Sequence, residues 1–212
     1  LGAAVMWFAN SHGLPLGLSI ALCILIGAFL GLINGLMATY LDIYPLLPTL
    51  ATMYVAKGIG CIITGGGARI VADTLRDVVN SHIGIFPTHI VVAVAVVIIV
   101  HLFLVKTEIG RQIYAIGDNP KTAKEKGISD RKIKLIAYIS CGVICAFAAL
   151  ISVGQVGAVT ISTGEHMEMY CVIIPVLGGL SLAGGRGHVF PGIILGTLIL
   201  TIISNVLVLV GA

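Results

Sequence analysis

Charged residues are scarce in this sequence: Asp, Glu, Lys and Arg make up 10% of its 212 residues. Soluble globular domains carry about a quarter, so the composition excludes that class. Apolar residues account for 58%, and the mean hydropathy is +1.11. The apolar stretches are about 17 to 26 residues long and lack the alternation of a membrane β-barrel. The sequence therefore predicts an all-α, polytopic transmembrane protein.

Motifs for catalysis and nucleotide binding are also missing. The phosphate-cradling pattern GxxxxGK[ST] does not occur, and neither does the HExxH of zinc hydrolases. All five cysteines fall inside apolar runs, where we interpret them as small core hydrophobes. Glu165, His166 and Glu168 are better explained as an exposed helix start than as a metal site. The sequence thus predicts a protein that is not an enzyme and needs neither a cofactor nor a metal.

The alternation of apolar and polar segments predicts the membrane spans. Six complete spans are expected, at residues 16–41, 48–64, 89–105, 133–153, 169–183 and 189–210. Residues 1–9 resemble the outer end of one more span, because the chain opens inside an apolar run. We therefore expect a single transmembrane domain over residues 1–212, preceded by a further N-terminal part.

Polar side chains inside the predicted spans are candidates for a solute pathway. They are Asn34, Thr49, Thr52 and Lys57. For Asn34 we favour a hydrogen bond between helices, and for Lys57 a side chain that reaches the membrane surface. No Asp or Glu lies in the middle of a predicted span, which argues against an ion-coupled secondary transporter.

Glycine patterns predict close contacts between helices. Gly27, Gly31 and Gly35 recur every four residues, so they share one helix face and allow another helix to approach. The stretch GGLSLAGGRGHVFPG, residues 178–192, combines six glycines with Arg186 near the inner surface. Such a density of glycine predicts close backbone approach or left-handed turns.

The segment 106–134 is the one long polar stretch of the chain. It contains eight of the twelve Lys and Arg residues, so the positive-inside rule places it in the cytoplasm and the loop 65–88 outside. This segment also carries the signals of a short helix. Asn119 suits the N-cap, Pro120 the first helical position, and Gly127 a left-handed C-cap. A short, capped helix in a cytoplasmic loop is well shaped to dock on a soluble partner.

Several motifs resemble one transporter family. GRQIYAIGDNPKTAKEKGI and GGLSLAGGRG are similar to segments of the membrane permease subunits of bacterial ABC importers for ribose, xylose, arabinose or galactosides, in the branched-chain-type permease superfamily. LPTLATMYVAKGI followed by ITGG resembles another segment of that family, with Lys57 where Arg is more usual. Family members have about ten spans. The resemblance therefore implies a fragment that runs from the third span to the ninth, without the early aspartate-leucine-serine motif and the last span.

The resemblance implies a function and a set of partners. The chain would be the multi-pass permease of an ATP-driven monosaccharide importer in the bacterial cytoplasmic membrane, working with a cytoplasmic ATP-binding subunit, an extracytoplasmic sugar-binding protein and a second permease subunit, identical or different. Nucleic acid is not an expected partner. The residues expected to couple to the ATPase are Gly110, Arg111, Asn119, Pro120, Ala123 and Gly127. An ion-coupled transporter of a small solute is the alternative, and the sugar is left open.

Overall fold

A computed structural model describes residues 1–41, 43–83, 86–160, 162–180 and 189–211. The described residues form α1 Gly2–Ser11, α2 Leu16–Tyr40, α3 Leu46–Thr64, β1 Arg69–Ile70, α4 Asp73–Asn80, β2 His82–Ile83, β3 Phe86–Pro87, α5 Thr88–Lys106, α6 Glu108–Asp118, α7 Pro120–Glu125, α8 Asp130–Val156, β4 Ala158–Val159, α9 Met167–Leu177, an irregular helical turn Val189–Ile193, and α10 Ile194–Val210. The chain divides into two compact units: Leu1–Ala93 with Arg131–Thr163, and Val94–Asp130 with Gly164–Ala212.

Among the described residues, five helical segments are long and apolar enough to cross a membrane. They are Leu16–Tyr40, Leu46–Thr64, Thr88–Lys106, Asp130–Val156 and Val189–Val210, which correspond to five of the six expected spans. The other expected span, 169–183, contains the shorter helix α9. Its 11 residues give a length of about 16 Å, roughly half of the hydrocarbon core. The helix stops at Gly178, and Gly179 turns the chain with a φ of +86°.

The first unit packs α2 against α8 through glycines. A Cβ added to Gly31 would lie 2.5 Å from the carbonyl oxygen of Tyr138, and one on Gly27 would lie 2.5 Å from that of Gly142. One on Gly35 would lie 2.8 Å from the side chain of Leu135. The contact positions rise along α2 as they fall along α8, so the helices are antiparallel. The predicted close contact at Gly31 is confirmed.

The loop 65–88 is more structured than the sequence indicated. β1 pairs antiparallel with β4, with Arg69 opposite Val159, so this loop and the segment after α8 lie on the same side of the membrane. Leu75 and Val79 of α4 are buried in the same core cluster as residues of α1, α2 and α8. The side-chain amide of Asn80 donates to the carbonyl of Gly154 at 3.1 Å. The pairing agrees with the predicted alternation of sides.

Cysteines divide between core and surface. Cys23 is fully buried beside Met6 in the first unit's core, as predicted for a small hydrophobe. Cys141, Cys145 and Cys171 instead lie exposed on α8 and α9, so the interpretation as core residues is wrong for these three. An apolar run shows that a residue is in a membrane helix, but not which face it occupies.

In the second unit, α9 and α10 approach each other at glycines. A Cβ on Gly178 would overlap the carbonyl of Gly192, and one on Gly196 would overlap the carbonyl of Ile174. The close backbone approach predicted for this glycine-rich stretch is therefore present at its two ends. Arg186 and the rest of 181–188, like Asp42 in the predicted turn after α2, lie outside the described residues.

Candidate functional site

The polar segment 106–134 contains two consecutive helices before α8 begins, and α6 was not foreseen. Its start is set by Thr107, whose hydroxyl oxygen accepts from the N–H of Gly110 at 3.1 Å. Ile109, Ile113 and Ile116 recur at helical spacing, and Ile116 is buried. The N-cap threonine and this isoleucine spacing are the sequence signals that could have revealed the helix.

Gly110 and Arg111 shape the turn from α5 into α6. A Cβ on Gly110 would overlap the backbone of Leu104, so any larger residue would force the two helices apart. Nη1 of Arg111 donates to the carbonyl of Lys106, the last residue of α5, at 3.4 Å. Gly110 and Arg111 are two of the six residues expected to couple to the ATPase. In this structure both shape the turn between α5 and α6.

The N-terminus of α7 has the predicted cap. Oδ1 of Asn119 accepts from the N–H groups of Lys121 and Thr122, at 3.1 and 3.2 Å. Pro120 occupies the first turn, where its missing N–H costs nothing. Asn119 is also the residue that ends α6. The joint between α6 and α7 is therefore a single residue.

The C-terminus of α7 closes with a left-handed glycine, as predicted. Gly127 has a φ of +78°, and its N–H donates to the carbonyl of Lys124 at 3.0 Å. The N–H of Ile128 donates to the carbonyl of Ala123 at 3.1 Å. These two bonds make up the Schellman motif, which satisfies the last carbonyls of a helix. Residues 120–125 therefore form a helix with both ends capped.

Ala123 is buried, with 3% of its surface exposed, while its helical neighbours Lys121, Thr122, Lys124 and Glu125 are exposed. The family resemblance implies that Ala123 is among the residues that couple to the ATPase. The structure instead turns its side chain toward the chain itself, so that Ala123 anchors α7. The surface that α7 offers to a partner consists of its charged and hydroxyl side chains.

Two of the candidate pathway residues meet between α2 and α3. The hydroxyl of Thr52 lies 2.6 Å from Oδ1 of Asn34, which is the interhelical hydrogen bond that we favoured. The same hydroxyl is within 3.0 Å of the carbonyl of Pro48 and 3.1 Å of that of Thr49. Because a hydroxyl has one proton, it can donate to only one of these three acceptors at a time.

The other two candidates, Thr49 and Lys57, also lie on α3. The hydroxyl of Thr49 lies 2.9 Å from the carbonyl of Leu46, inside its own helix. Lys57 lies on α3 with an exposed side chain. The structure therefore joins the side chains of Asn34 and Thr52, whereas the hydroxyl of Thr49 bonds within α3.

No group of three or more His, Cys, Asp or Glu that could hold a metal occurs among the described residues. Glu168 lies in the first turn of α9, and His166 precedes that helix with a φ of +65°. These two residues belong to the start of a helix, as the sequence analysis proposed.

Comparisons with known proteins agree over the whole chain. The profile of the branched-chain amino acid transport system / permease component family matches residues 1–212. A fructose import permease protein of Bifidobacterium longum is 33% identical over 99% of this chain and 60% of its own length. An autoinducer 2 import system permease protein of Yersinia enterocolitica is 35% identical over 99% and 58%. A galactose/methyl galactoside import permease protein of Salmonella typhimurium is 32% identical over 96% and 63%. The chain thus spans about three fifths of the length of these relatives, and no solved structure matches it.

Proposed function

Because this chain belongs to the branched-chain amino acid transport system / permease component family, we propose that it is the permease part of an ATP-driven importer. Its solute would be a monosaccharide or a related small polyhydroxylated molecule, carried across the bacterial cytoplasmic membrane. The observation that carries this proposal is the likeness, over nearly the whole chain, to import permeases named for fructose, galactose and autoinducer 2.

The proposed partners are those that complete such an importer. A permease component supplies the membrane path, so a cytoplasmic ATP-binding subunit would provide the energy and an extracytoplasmic binding protein the solute. A second permease subunit, identical or different, would form the other half of the path. The five spanning helices support the role of this chain as the membrane part.

Helix α7 is the proposed docking element for the ATP-binding subunit. Its caps at Asn119 and Gly127 fix its ends, and the burial of Ala123 fixes its orientation. The side chains left for the partner include Lys121 and Lys124, which are both exposed. Gly110 and Arg111 would contribute by holding α6 against α5.

The docking role can be tested by reversing charge on α7. Lys121→Glu with Lys124→Glu should reduce co-purification of the ATP-binding subunit and solute uptake in reconstituted vesicles, while the permease stays inserted and folded. The control is Arg76→Glu, which makes the same change of charge per residue in the loop 65–88. This variant should still associate with the ATP-binding subunit. Unchanged association in the α7 variant would contradict the assignment.

A separate experiment tests the transport function. Deleting the gene should abolish uptake of one labelled monosaccharide out of a panel that includes fructose and galactose, and the full-length protein should restore it. Uptake should persist when a protonophore collapses the proton gradient while ATP is maintained. Uptake that follows a proton or sodium gradient and ignores ATP would favour the alternative, an ion-coupled secondary transporter.

Asn34 and Thr52 are proposed to lie beside the solute path. Their amide and hydroxyl groups can both donate and accept hydrogen bonds. They could therefore give up the hydrogen bond between the helices and bind a sugar hydroxyl instead. Thr49 and Lys57 remain weaker candidates, since the hydroxyl of Thr49 bonds within its own helix and the side chain of Lys57 is exposed.

A further inference from the structure

A basic patch lies at one end of the α2–α8 pair, and the proposed docking role of α7 does not use it. It consists of Tyr40 at the end of α2 and of Arg131, Lys132 and Lys134 in the first two turns of α8. All four side chains are exposed, and 55% of the surface of Tyr40 is accessible. Cζ of Arg131 lies 5.3 Å from the centroid of the Tyr40 ring, a cation–π distance that ties the two helices together.

Arg131 and Lys134 lie on the side of α8 that faces α2. Arg131, Lys134, Leu135 and Tyr138 recur at three- or four-residue intervals, so they lie on one face of α8. Leu135 and Tyr138 are the residues that contact Gly35 and Gly31 of α2. The two cations therefore continue the α2-facing side of α8 beyond the last tight contact.

The patch is at the depth of lipid headgroups. The 27 residues of α8 give it a length of about 40 Å, whereas a hydrocarbon core is about 30 Å thick. Because the charged residues of α8 all lie between Asp130 and Lys134, we place its first turns in the headgroup region. Tyrosine is enriched at that level, where its ring is in the apolar layer and its hydroxyl in the polar one. Leu41 and Tyr44, 60% and 72% exposed, add apolar surface beside the patch.

From this arrangement we propose that the patch binds the headgroup of an anionic phospholipid, with phosphatidylglycerol as the representative ligand. Charge complementarity supports this occupant, because the three cations outnumber the two carboxylates nearest in the sequence, Asp130 at the start of α8 and Asp42 two residues after Tyr40. A cation–π contact engages the face of a guanidinium. The paired N–H donors along the edge of the guanidinium stay available for a phosphate. The acyl chains would follow the apolar surface next to Tyr40.

Native mass spectrometry of the purified protein, released from nanodiscs with equal phosphatidylcholine and phosphatidylglycerol, tests the proposal. The wild-type protein should retain phosphatidylglycerol preferentially, and Arg131→Gln with Lys134→Gln should reduce that retention about tenfold or more. The control, Lys121→Gln with Lys126→Gln, removes the same charge from the α7 region and should keep the preference. Equal losses in both variants, or no preference in the wild type, would overturn the proposal.

Two further measurements on the wild-type protein keep the test independent of how well the variants fold. Raising the salt concentration should lower retention of phosphatidylglycerol, because the contact is electrostatic. Inorganic phosphate at matched ionic strength should not displace it, since the acyl chains also hold the lipid. The lipid assignment would be overturned if retention of phosphatidylglycerol did not depend on salt. It would also be overturned if free phosphate displaced the lipid. An Arg131→Gln, Lys134→Gln protein that keeps the lipid and loses the ATP-binding subunit would overturn it as well, because the patch would then be a protein contact.

Discussion

Replacing Gly31 is the sharpest test of how the first unit is held together. In Gly31→Ala the new Cβ would lie 2.5 Å from the carbonyl oxygen of Tyr138 and 3.0 Å from Cα of Ile139. Ordinary van der Waals contact begins near 3.4 Å, so the first distance is short by about 0.9 Å. Both neighbours are backbone atoms of α8, which no change of rotamer can move. The helices must therefore separate.

The expected loss combines two opposing effects. Forcing extra carbon atoms into a packed contact costs about 1–3 kcal/mol. Alanine is a better helix former than glycine by about 1 kcal/mol, which offsets part of that cost. Gly58, in the middle of α3, has no atom within 4 Å of an added Cβ, so Gly58→Ala keeps only the favourable effect. The two variants should thus differ by about 1–3 kcal/mol in the free energy of unfolding.

Folded yield and thermal stability in mild detergent measure this difference. Gly31→Ala should show a lower yield and an earlier unfolding transition than Gly58→Ala, and Gly31→Leu should be worse than either. Uptake by the molecules that do fold should keep its sugar preference, because the contact is between helices and not with solute. Equal stability of the two alanine variants would refute the packing argument, and so would normal expression of Gly31→Leu with altered selectivity.

Orientation, capping and polar pairing can each be tested with single substitutions. In intact cells, in a background without the native cysteines, a membrane-impermeant maleimide should label a cysteine at Arg76 and spare one at Lys121; the reverse pattern would contradict the topology. Asn119→Ala should destabilise α7 by about 1 kcal/mol and speed amide hydrogen exchange over 121–125, and unchanged exchange would count against the cap. Thr52→Val should remove the bond to Asn34 and lower stability by about 0.6–2 kcal/mol, whereas Thr52→Ser should not; equal behaviour of the two variants would show that the hydroxyl is not needed.

Features decided by a few neighbouring residues were predictable from the sequence. The cap at Asn119 and the left-handed turn at Gly127 depend on local backbone chemistry, which the residue types reveal directly. The spacing of Gly27, Gly31 and Gly35 likewise specified a contact face, because helix geometry places such residues in a row. Five of the six predicted spans correspond to helices of spanning length, because the length of an apolar run can be read directly from the residues.

Features decided by tertiary contacts were not predictable in this way. Helix α4 has 8 residues, which is too short to be stable alone, so packing forms it and its polarity conceals it. The side chain of Ala123 could face a partner or the chain itself, and the sequence does not distinguish these orientations. Cys141 and Cys145 show the same ambiguity for a helix that is apolar on several faces.

The joints between consecutive helices bear on how α7 could transmit a movement. Thr107 alone separates α5 from α6, and Asn119 alone separates α6 from α7. Each of these residues is held by a side-chain hydrogen bond to the helix that follows it. At Gly110, the backbones of α6 and α5 are so close that an added Cβ would overlap Leu104. Helix α7 is therefore connected to the membrane helix α5 by two short, capped joints and a tight contact. This continuity is what a docking element needs if a partner's closure is to move a transmembrane helix.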